Sequence, residues 1–429
     1  MEEENKQQPL YVEDEEDLNT NAKIKVLGIG GGGSNAVNQM IHDKEDLVDY
    51  WVLNTDSQAL LASPCEHKYV LGKGVTRGLG AGGIPQMGEK AAEDSIEDIK
   101  RLVKGSDMVF LAAGEGGGTG TGAAPVVAKA AKEAGCLVLA IVTRPFTFEG
   151  KARQKNALEG IAKLKQNVDA LIVVSNDKLV FNNGNLPFKE AFKSADHVLA
   201  QAVKSITDLI LVPGLINLDF ADVKATLTGK GLALIGIGNG EGKNKALDAA
   251  QNAVNSPLLE ASINGARAMM INITAGDDTT LNEIQFAVNE IREATHTEEN
   301  NVNVVFGVQC DAAYRGKMKV AIIATDFTKD IDFAKAESLS PRSSLNANAP
   351  KKEEKKEESR TEQEVKSRQN ANPLPDYLRR HLLAEEGMKK EANTEEKTAV
   401  KDVIPAPENK EEPSSPEEED ETLPLPSNR

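Results

Sequence analysis

Three clusters in this sequence have the residue types and spacing to do chemistry. The first is Gly28-Ile29-Gly30-Gly31-Gly32-Gly33-Ser34-Asn35, with five glycines in six positions. Glycine lets a backbone approach a phosphate and turn its N–H groups inward, and a helix starting just beyond adds the positive end of its dipole. Gly28, Gly30 and Gly33 also satisfy the spacing of a dinucleotide loop, so this cluster alone fits any mononucleotide or dinucleotide. The second is Gly114-Glu115-Gly116-Gly117-Gly118-Thr119-Gly120-Thr121-Gly122. It offers another nest of N–H donors, to which Thr119 and Thr121 can add hydroxyls. A dehydrogenase needs one glycine-rich phosphate loop; a triphosphate can use two. No Walker A loop occurs: Gly238-Asn239-Gly240-Glu241-Gly242-Lys243-Asn244 lacks both the spacing and the terminal hydroxyl. The third cluster is Asn217-Leu218-Asp219-Phe220-Ala221-Asp222. Acids three apart face one way on a helical turn, where they can polarise a water or simply cap the helix. Spacing alone leans toward the cap.

These clusters need elements to position them. Short apolar runs at 24–29, 51–53, 108–111, 136–142 and 171–174 read as strands buried on both faces. Helix-length amphipathic segments lie between them, and that alternation predicts a doubly wound, mostly parallel sheet. Both glycine clusters fall between a strand and a helix, which argues against a low-complexity linker. A long helix is expected over 188–212. Pro187 suits its start, Phe188, Phe192, Ala195, Leu199, Ala202, Ile206 and Leu209 recur every three or four residues, and Pro213-Gly214 ends it. Such a helix would span nearly ~40 Å, with the acids of 217–222 at its far end. A smaller α+β unit should follow, with strands near 233–237, 268–273, 302–308 and 320–324.

Composition narrows the function further. A net charge of −17 over 429 residues argues against a generic nucleic-acid binder, and one Trp, five Tyr and eleven Phe leave little for base stacking. Cys65, Cys136 and Cys310 make an odd set in a large chain, which fits a reducing cytoplasm. The acidic, polar start reads as a disordered arm rather than a signal peptide, and no apolar run nears the roughly 20 residues of a bilayer span. Beyond Phe333 prolines accumulate and Tyr377 is the sole aromatic. With the mixed charge block Lys351-Lys352-Glu353-Glu354-Lys355-Lys356-Glu357-Glu358, this reads as a disordered tail. An apolar, basic island interrupts it: Leu374-Pro375-Asp376-Tyr377-Leu378-Arg379-Arg380. A short segment of that kind on a flexible tether suits coupled folding and binding, or a weak membrane-surface helix.

The three clusters, in this order, resemble the FtsZ family of bacterial cell-division tubulins. Gly116 to Gly122 matches the tubulin signature and Asn217 to Asp222 the family's synergy loop. Asn54-Thr55-Asp56, Arg77-Gly78-Leu79-Gly80-Ala81-Gly82, Thr143-Arg144-Pro145-Phe146 and Asn272-Ile273-Thr274-Ala275-Gly276 extend the likeness from about residue 24 to 327. The resemblance implies a tubulin-like α/β fold and a GTPase that polymerises head to tail, forming the division (Z) ring. It overturns the capping preference: Asn217, Asp219 and Asp222 become the catalytic residues that one subunit supplies to the next. Gly31, Gly32, Gly33, Ser34, Gly117, Gly118, Thr119 and Gly120 would hold phosphates, and Glu149 and Arg153 would lie near ribose and phosphates. A plain i, i+4 ion pair is the alternative for those two, and compatible with that role.

By the same resemblance Asp196 is the base-reading carboxylate, with Asn176 and Asn35 as polar contacts and Phe192 stacking on the ring. The chemistry is apt: guanine offers N1–H and N2–H₂ on one edge, whereas adenine presents an acceptor at N1. Without the family, Asp196 would pass as a solvated helix residue and Phe192 as core. Mg2+ should accompany GTP, with no ligand residue identifiable. Leu374, Pro375, Tyr377, Leu378, Arg379 and Arg380 resemble the peptide that division partners bind, an FtsA-like membrane adaptor among them. That places the protein in the cytoplasm, at mid-cell beneath the membrane.

Three features depart from the family. Pro373 stands where an acid is usual, nearly fifty residues follow Arg380, and Glu115 puts a carboxylate in the phosphate loop, so its side chain must point away from the nucleotide. The expected organisation is an arm (1–23), GTP-binding domain (24–187), central helix (188–212), synergy loop with α+β domain (213–327), linker (328–370), partner peptide (371–384) and acidic extension (385–429). Competing readings are a nucleotide-dependent oxidoreductase, using Asp56 on a ribose, and a tubulin-like plasmid-segregation protein. The oxidoreductase leaves the second glycine loop and the 217–222 acids without a role.

Overall fold

A computed structural model describes residues 22–41, 47–181, 187–297 and 302–328. The expected linker (apart from Thr328), partner peptide and acidic extension lie outside the described residues, as does the arm but for its last two positions. Chain order begins β1 (Ile24–Ile29), α1 (Gly30–Met40), β2 (Val48–Asn54), α2 (Ser57–Ala62), β3 (His67–Val70) and α3 (Lys73–Thr76). It continues α4 (Pro85–Asp94), α5 (Ile96–Val103), β4 (Met108–Gly114), α6 (Thr119–Glu133), β5 (Leu137–Arg144), a 3-10 turn (Thr147–Glu149) and α7 (Lys151–Lys165). Then come β6 (Ala170–Ser175), α8 (Asn176–Phe181), α9 (Phe188–Leu211), α10 (Phe220–Leu227), β7 (Gly231–Glu241) and α11 (Lys245–Val254). The last are β8 (Ala266–Ala275), α12 (Leu281–Glu293), β9 (Asn303–Cys310) and β10 (Lys317–Phe327).

Among the described residues the strands form one ten-stranded sheet in the order β3-β2-β1-β4-β5-β6-β7-β10-β8-β9. From β3 to β7 every pairing is parallel; β10 runs antiparallel to β7 and β8, and β9 is parallel to β8. Strand alternation explains the continuous apolar runs. In β4, Met108, Phe110 and Ala112 enter one core, and Val109, Leu111 and Ala113 enter the other. The first core is covered by α1 and α9, the second by α4, α5, α6 and α7. Fully buried parallel strands need both faces apolar, hence runs rather than alternation.

The first core also takes in Ala233, Ile235, Met270 and Ile323, so α9 shares it with strands from both parts of the sheet. A third core lies between α11, α12 and strands β7 to β10. The long helix begins after Pro187 as its N-cap and ends at Leu211, one residue short of the expected 212, with Val212 as its extended C-cap before Pro213-Gly214. β3 was not expected. It lies at the edge of the sheet and is half exposed, so it carries no apolar run to find.

Candidate functional site

The strand order turns about β1 and β4, which lie side by side while the chain proceeds from each in opposite directions across the sheet. Such a switch point opens a crevice beyond the carboxyl ends of the strands. Both glycine clusters leave from there and pack backbone to backbone. A Cβ on Gly30, whose φ is +72°, would stand 2.8 Å from Gly120 N; one on Gly32 would stand 3.3 Å from Gly114 Cα. Gly33 is tighter still: its Cβ would lie 2.0 Å from the Ala112 carbonyl oxygen. Gly31 and Gly117 differ, since nothing lies within 4 Å of theirs. The glycines therefore do two jobs. Some let one loop press against the other, and some leave bare backbone beside open space.

Hydroxyls join the loops. Thr119 Oγ1 lies 2.6 Å from Thr55 Oγ1, and Thr121 Oγ1 accepts from Gly116 N at 2.8 Å. Gly118 sits against Ala81 and the backbone of Ile84, which draws the 77–84 glycine segment to the second loop. Ser34, at the start of α1, is buried with its hydroxyl unpartnered. Glu115 turns inward as its position demands. Its N–H donates to Thr143 O, while its carboxyl is buried at Gly160 of α7, where a Cβ would stand 2.4 Å from Oε2. Neither carboxyl oxygen has a hydrogen-bond partner. Burial pushes this carboxyl up to about 8, a rise that Thr121 opposes without a well-formed hydrogen bond.

The polar contacts expected for a base converge from three elements. Asp196 on α9 faces Asn35 on α1; burial pushes its carboxyl up to about 6, a rise that the Asn35 side chain opposes. Asn176, at the start of α8, is buried with an unpartnered Oδ1. Phe192, one turn before Asp196, meets Phe146 edge to face at 5.0 Å, and Phe146 stacks on Phe148. Glu149 and Arg153 do form an ion pair, and Glu149 Oε1 also accepts from Phe146 N at 3.0 Å. Thr147 N and Oγ1 donate to Asp177, tying the same turn to α8. Thr55, Phe146 and Asp177 were not singled out from the sequence as site residues. The segments 54–56 and 143–146 were the signal for the first two; Asp177 had none.

Asn217, Asp219 and Asp222 are not brought to these loops. They lie beyond the end of α9, about 23 Å along its axis from Asp196 at ~1.5 Å per residue. All three are exposed. Asp219 caps α10, accepting from Asp222 N at 2.7 Å, and Asn217 Oδ1 takes the Gly214 N–H. The capping geometry weighed from spacing is thus present, and it leaves the Asp222 carboxylate exposed beside it.

Among the described residues no three His, Cys, Asp or Glu side chains converge as a metal cage, and Glu115 is turned away into the core. The loops themselves offer N–H groups and hydroxyls. No described helix is long and apolar enough to cross a membrane.

The profile of the tubulin/FtsZ family GTPase domain matches residues 23–183, and that of the FtsZ family C-terminal domain matches residues 231–328. Among solved structures, an empty FtsZ dimer from M. jannaschii is 43% identical, covering 75% of this chain and 93% of its own, with a TM-score of 0.70. CetZ1 from Haloferax volcanii, a GDP-bound monomer, is 19% identical over 75% of this chain and 99% of its own, at TM-score 0.64. CetZ2 from the same organism, a GTPgS-bound protofilament, is 21% identical over 76% of this chain and 100% of its own, at TM-score 0.62. The two CetZ proteins share the fold.

Proposed function

The chain belongs to the tubulin/FtsZ family and is a GTPase, and from that premise we propose that its hydrolytic site is completed only between two copies stacked head to tail. One observation carries this reading. The groups suited to hold a nucleotide and the acids suited to act on it sit toward opposite ends of α9, with the acids exposed. A copy whose acid loop met the next copy's phosphate loops would unite them. There Asp219 and Asp222 would orient and polarise the attacking water, with Asn217 assisting.

Nucleotide binding falls to the enclosed end. Gly31 and Gly117 leave backbone free beside open space, and the 30–33 and 116–120 segments supply N–H donors to phosphates. Asp196 as a carboxylate accepts from both guanine donors and would repel the N1 lone pair of adenine. The unpartnered Asn176 Oδ1 is a second acceptor suited to the base, and Phe192 an aromatic face. Glu149, on the turn beside Phe146, and Arg153, in the first turn of α7, hold each other, consistent with a place near ribose and phosphates. Mg2+ would travel with the triphosphate, drawing ligands from phosphate oxygens and water; it keeps several waters in most sites.

Filaments of this kind would form the division ring in the cytoplasm at mid-cell, with residues 374–380 engaging an FtsA-like membrane adaptor. Deleting 371–384 should abolish adaptor binding and leave turnover and filaments largely intact. The test of the shared site is GTP hydrolysis across protein concentration with light scattering alongside. Specific activity should rise above a threshold, and Asp222→Ala should bind GTP and assemble yet scarcely hydrolyse it. Constant specific activity at concentrations too low for filaments would refute the reading.

A further inference from the structure

The acid loop is seated on an edge strand. β9 ends the sheet, with β8 on its inner side, so its outer N–H and C=O groups are open to pairing. The loop after α9 takes them. Val308 N donates to Ile216 O at 3.0 Å, and the Val308 carbonyl accepts from Leu215 N at 2.8 Å and Ile216 N at 3.3 Å. Ile216 and Val308 make an antiparallel bridge. Gly214 permits this approach: a Cβ there would stand 2.4 Å from the Val308 oxygen and 3.3 Å from Gln309 Cγ.

A side chain adds a second tie. Gln309 Nε2 donates to the Asp208 carbonyl at 2.8 Å, in the last turn of α9. That carbonyl already accepts from Val212 N at 2.9 Å. Removing the Gln309 amide therefore leaves no orphaned backbone group and little stability is lost. What is lost is the tie that fixes the end of α9, and with it the start of the acid loop, against β9. We infer that Gln309 is a positioning residue for hydrolysis, setting the height and tilt at which Asn217, Asp219 and Asp222 are offered to the adjoining copy. This rests on the shared-site reading above. Displacements of about 1 Å at reacting groups can cost on the order of a hundredfold in rate, which is the scale on which one such bond can matter.

The replacement must be uncharged, since Lys204, Asp208 and Lys319 lie close by. Gln309→Met keeps length and removes the donor; Gln309→His, assayed well above the ordinary imidazole pKa so that the ring is neutral, restores an N–H donor at similar reach. The full chain, Gln309→Met, Gln309→His and Asp222→Asn are compared for GTP affinity, thermal midpoint, sedimentable filament and turnover per assembled subunit. Gln309→Met should bind GTP within about twofold of the parent and assemble, with turnover down roughly ten- to a hundredfold. Gln309→His should recover most of it. Unchanged turnover in Gln309→Met overturns the proposal, as does an equal loss in Gln309→His or a parallel loss of GTP affinity. In all these cases a dead Asp222→Asn leaves the shared-site reading standing. If Asp222→Asn turns over at the parental rate, the shared site itself fails and the Gln309 proposal with it.

Discussion

The two ends of α9 are built on opposite plans. At the nucleotide end, loop backbones press together at distances only glycine allows, and polar groups such as Ser34, Thr121, Asn176 and Glu115 are buried. At the other end, Asn217, Asp219 and Asp222 are exposed, held by the Asp219 cap, the Gly214–Asn217 bond, one bridge to β9 and the Gln309 tie. The first end is packed and enclosed, and the second is presented outward. Binding and chemistry should therefore fail separately, and the following substitutions test that separation.

The largest effect belongs to the packed glycines. Gly33→Ala drives a Cβ into the Ala112 carbonyl at 2.0 Å, where backbone must move. It should lose GTP binding and lower the thermal midpoint sharply, by the overpacking cost of roughly 1–3 kcal/mol or more. Gly31→Ala has open space and should keep the parental midpoint while weakening GTP alone. Equal midpoints for the two variants would show that the glycine packing is not what shapes the loops.

Next is the base contact. Asp196 can accept from both guanine donors only when ionised, and its pKa is raised to about 6. GTP affinity should fall as pH drops below that value, by roughly tenfold per unit at the limit, while Asp196→Ala shows no such slope. Stability has the opposite sign: a raised carboxyl favours the fold at low pH and loses that contribution as pH rises from 3.8 through 6. Isothermal titration at several pH values separates the two. A slope that persists in Asp196→Ala would assign it elsewhere.

Glu115 should matter for stability more than for binding. Its folded pKa of about 8 lies above the ordinary glutamate value of 4.5, so the folded state holds a proton the unfolded chain gives up. Stability is favoured below 4.5 and is lost as pH rises toward 8. Glu115→Gln should remove that dependence and stabilise the protein near neutrality, by on the order of 3 kcal/mol if fully realised. A variant with an unchanged pH profile of the thermal midpoint would mean the carboxyl finds partners on folding.

The smallest effect is at the exposed end. Asp219→Ala removes a cap and should cost about 1 kcal/mol of stability, whereas Asp219→Asn keeps the cap. Turnover should fall in both. If Asp219→Asn hydrolyses GTP at the parental rate, Asp219 acts only as a cap.

Much of this was legible in the sequence, for identifiable reasons. Strands buried on both faces leave continuous apolar runs, so β1, β4, β5 and β6 could be read directly; half-exposed β3 could not. The glycine clusters named the phosphate loops, but spacing could not say which glycines serve packing and which face open space. Gly33 and Gly31 look alike in sequence and differ because Gly33 faces the Ala112 carbonyl and the Gly28 backbone, the former distant in chain order. The tie of Gln309 to Asp208 was likewise illegible, since it depends on an edge strand meeting a helix end. For 217–222 spacing and family resemblance pointed to different roles, and the geometry accommodates both: Asp219 caps, and Asp222 is exposed.

The central claim is that one copy's nucleotide meets another copy's acids. Mixing two variants tests it most directly: Asp222→Ala, which keeps the nucleotide end, and Asp196→Ala, which keeps the acids, at a GTP concentration that leaves the latter empty. Each alone should be nearly inactive. With co-sedimentation establishing that both enter the same filaments, the mixture should hydrolyse GTP well above the sum of the two, because each Asp222→Ala nucleotide can meet intact acids. Mixed filaments whose turnover stays at that sum would contradict the shared site.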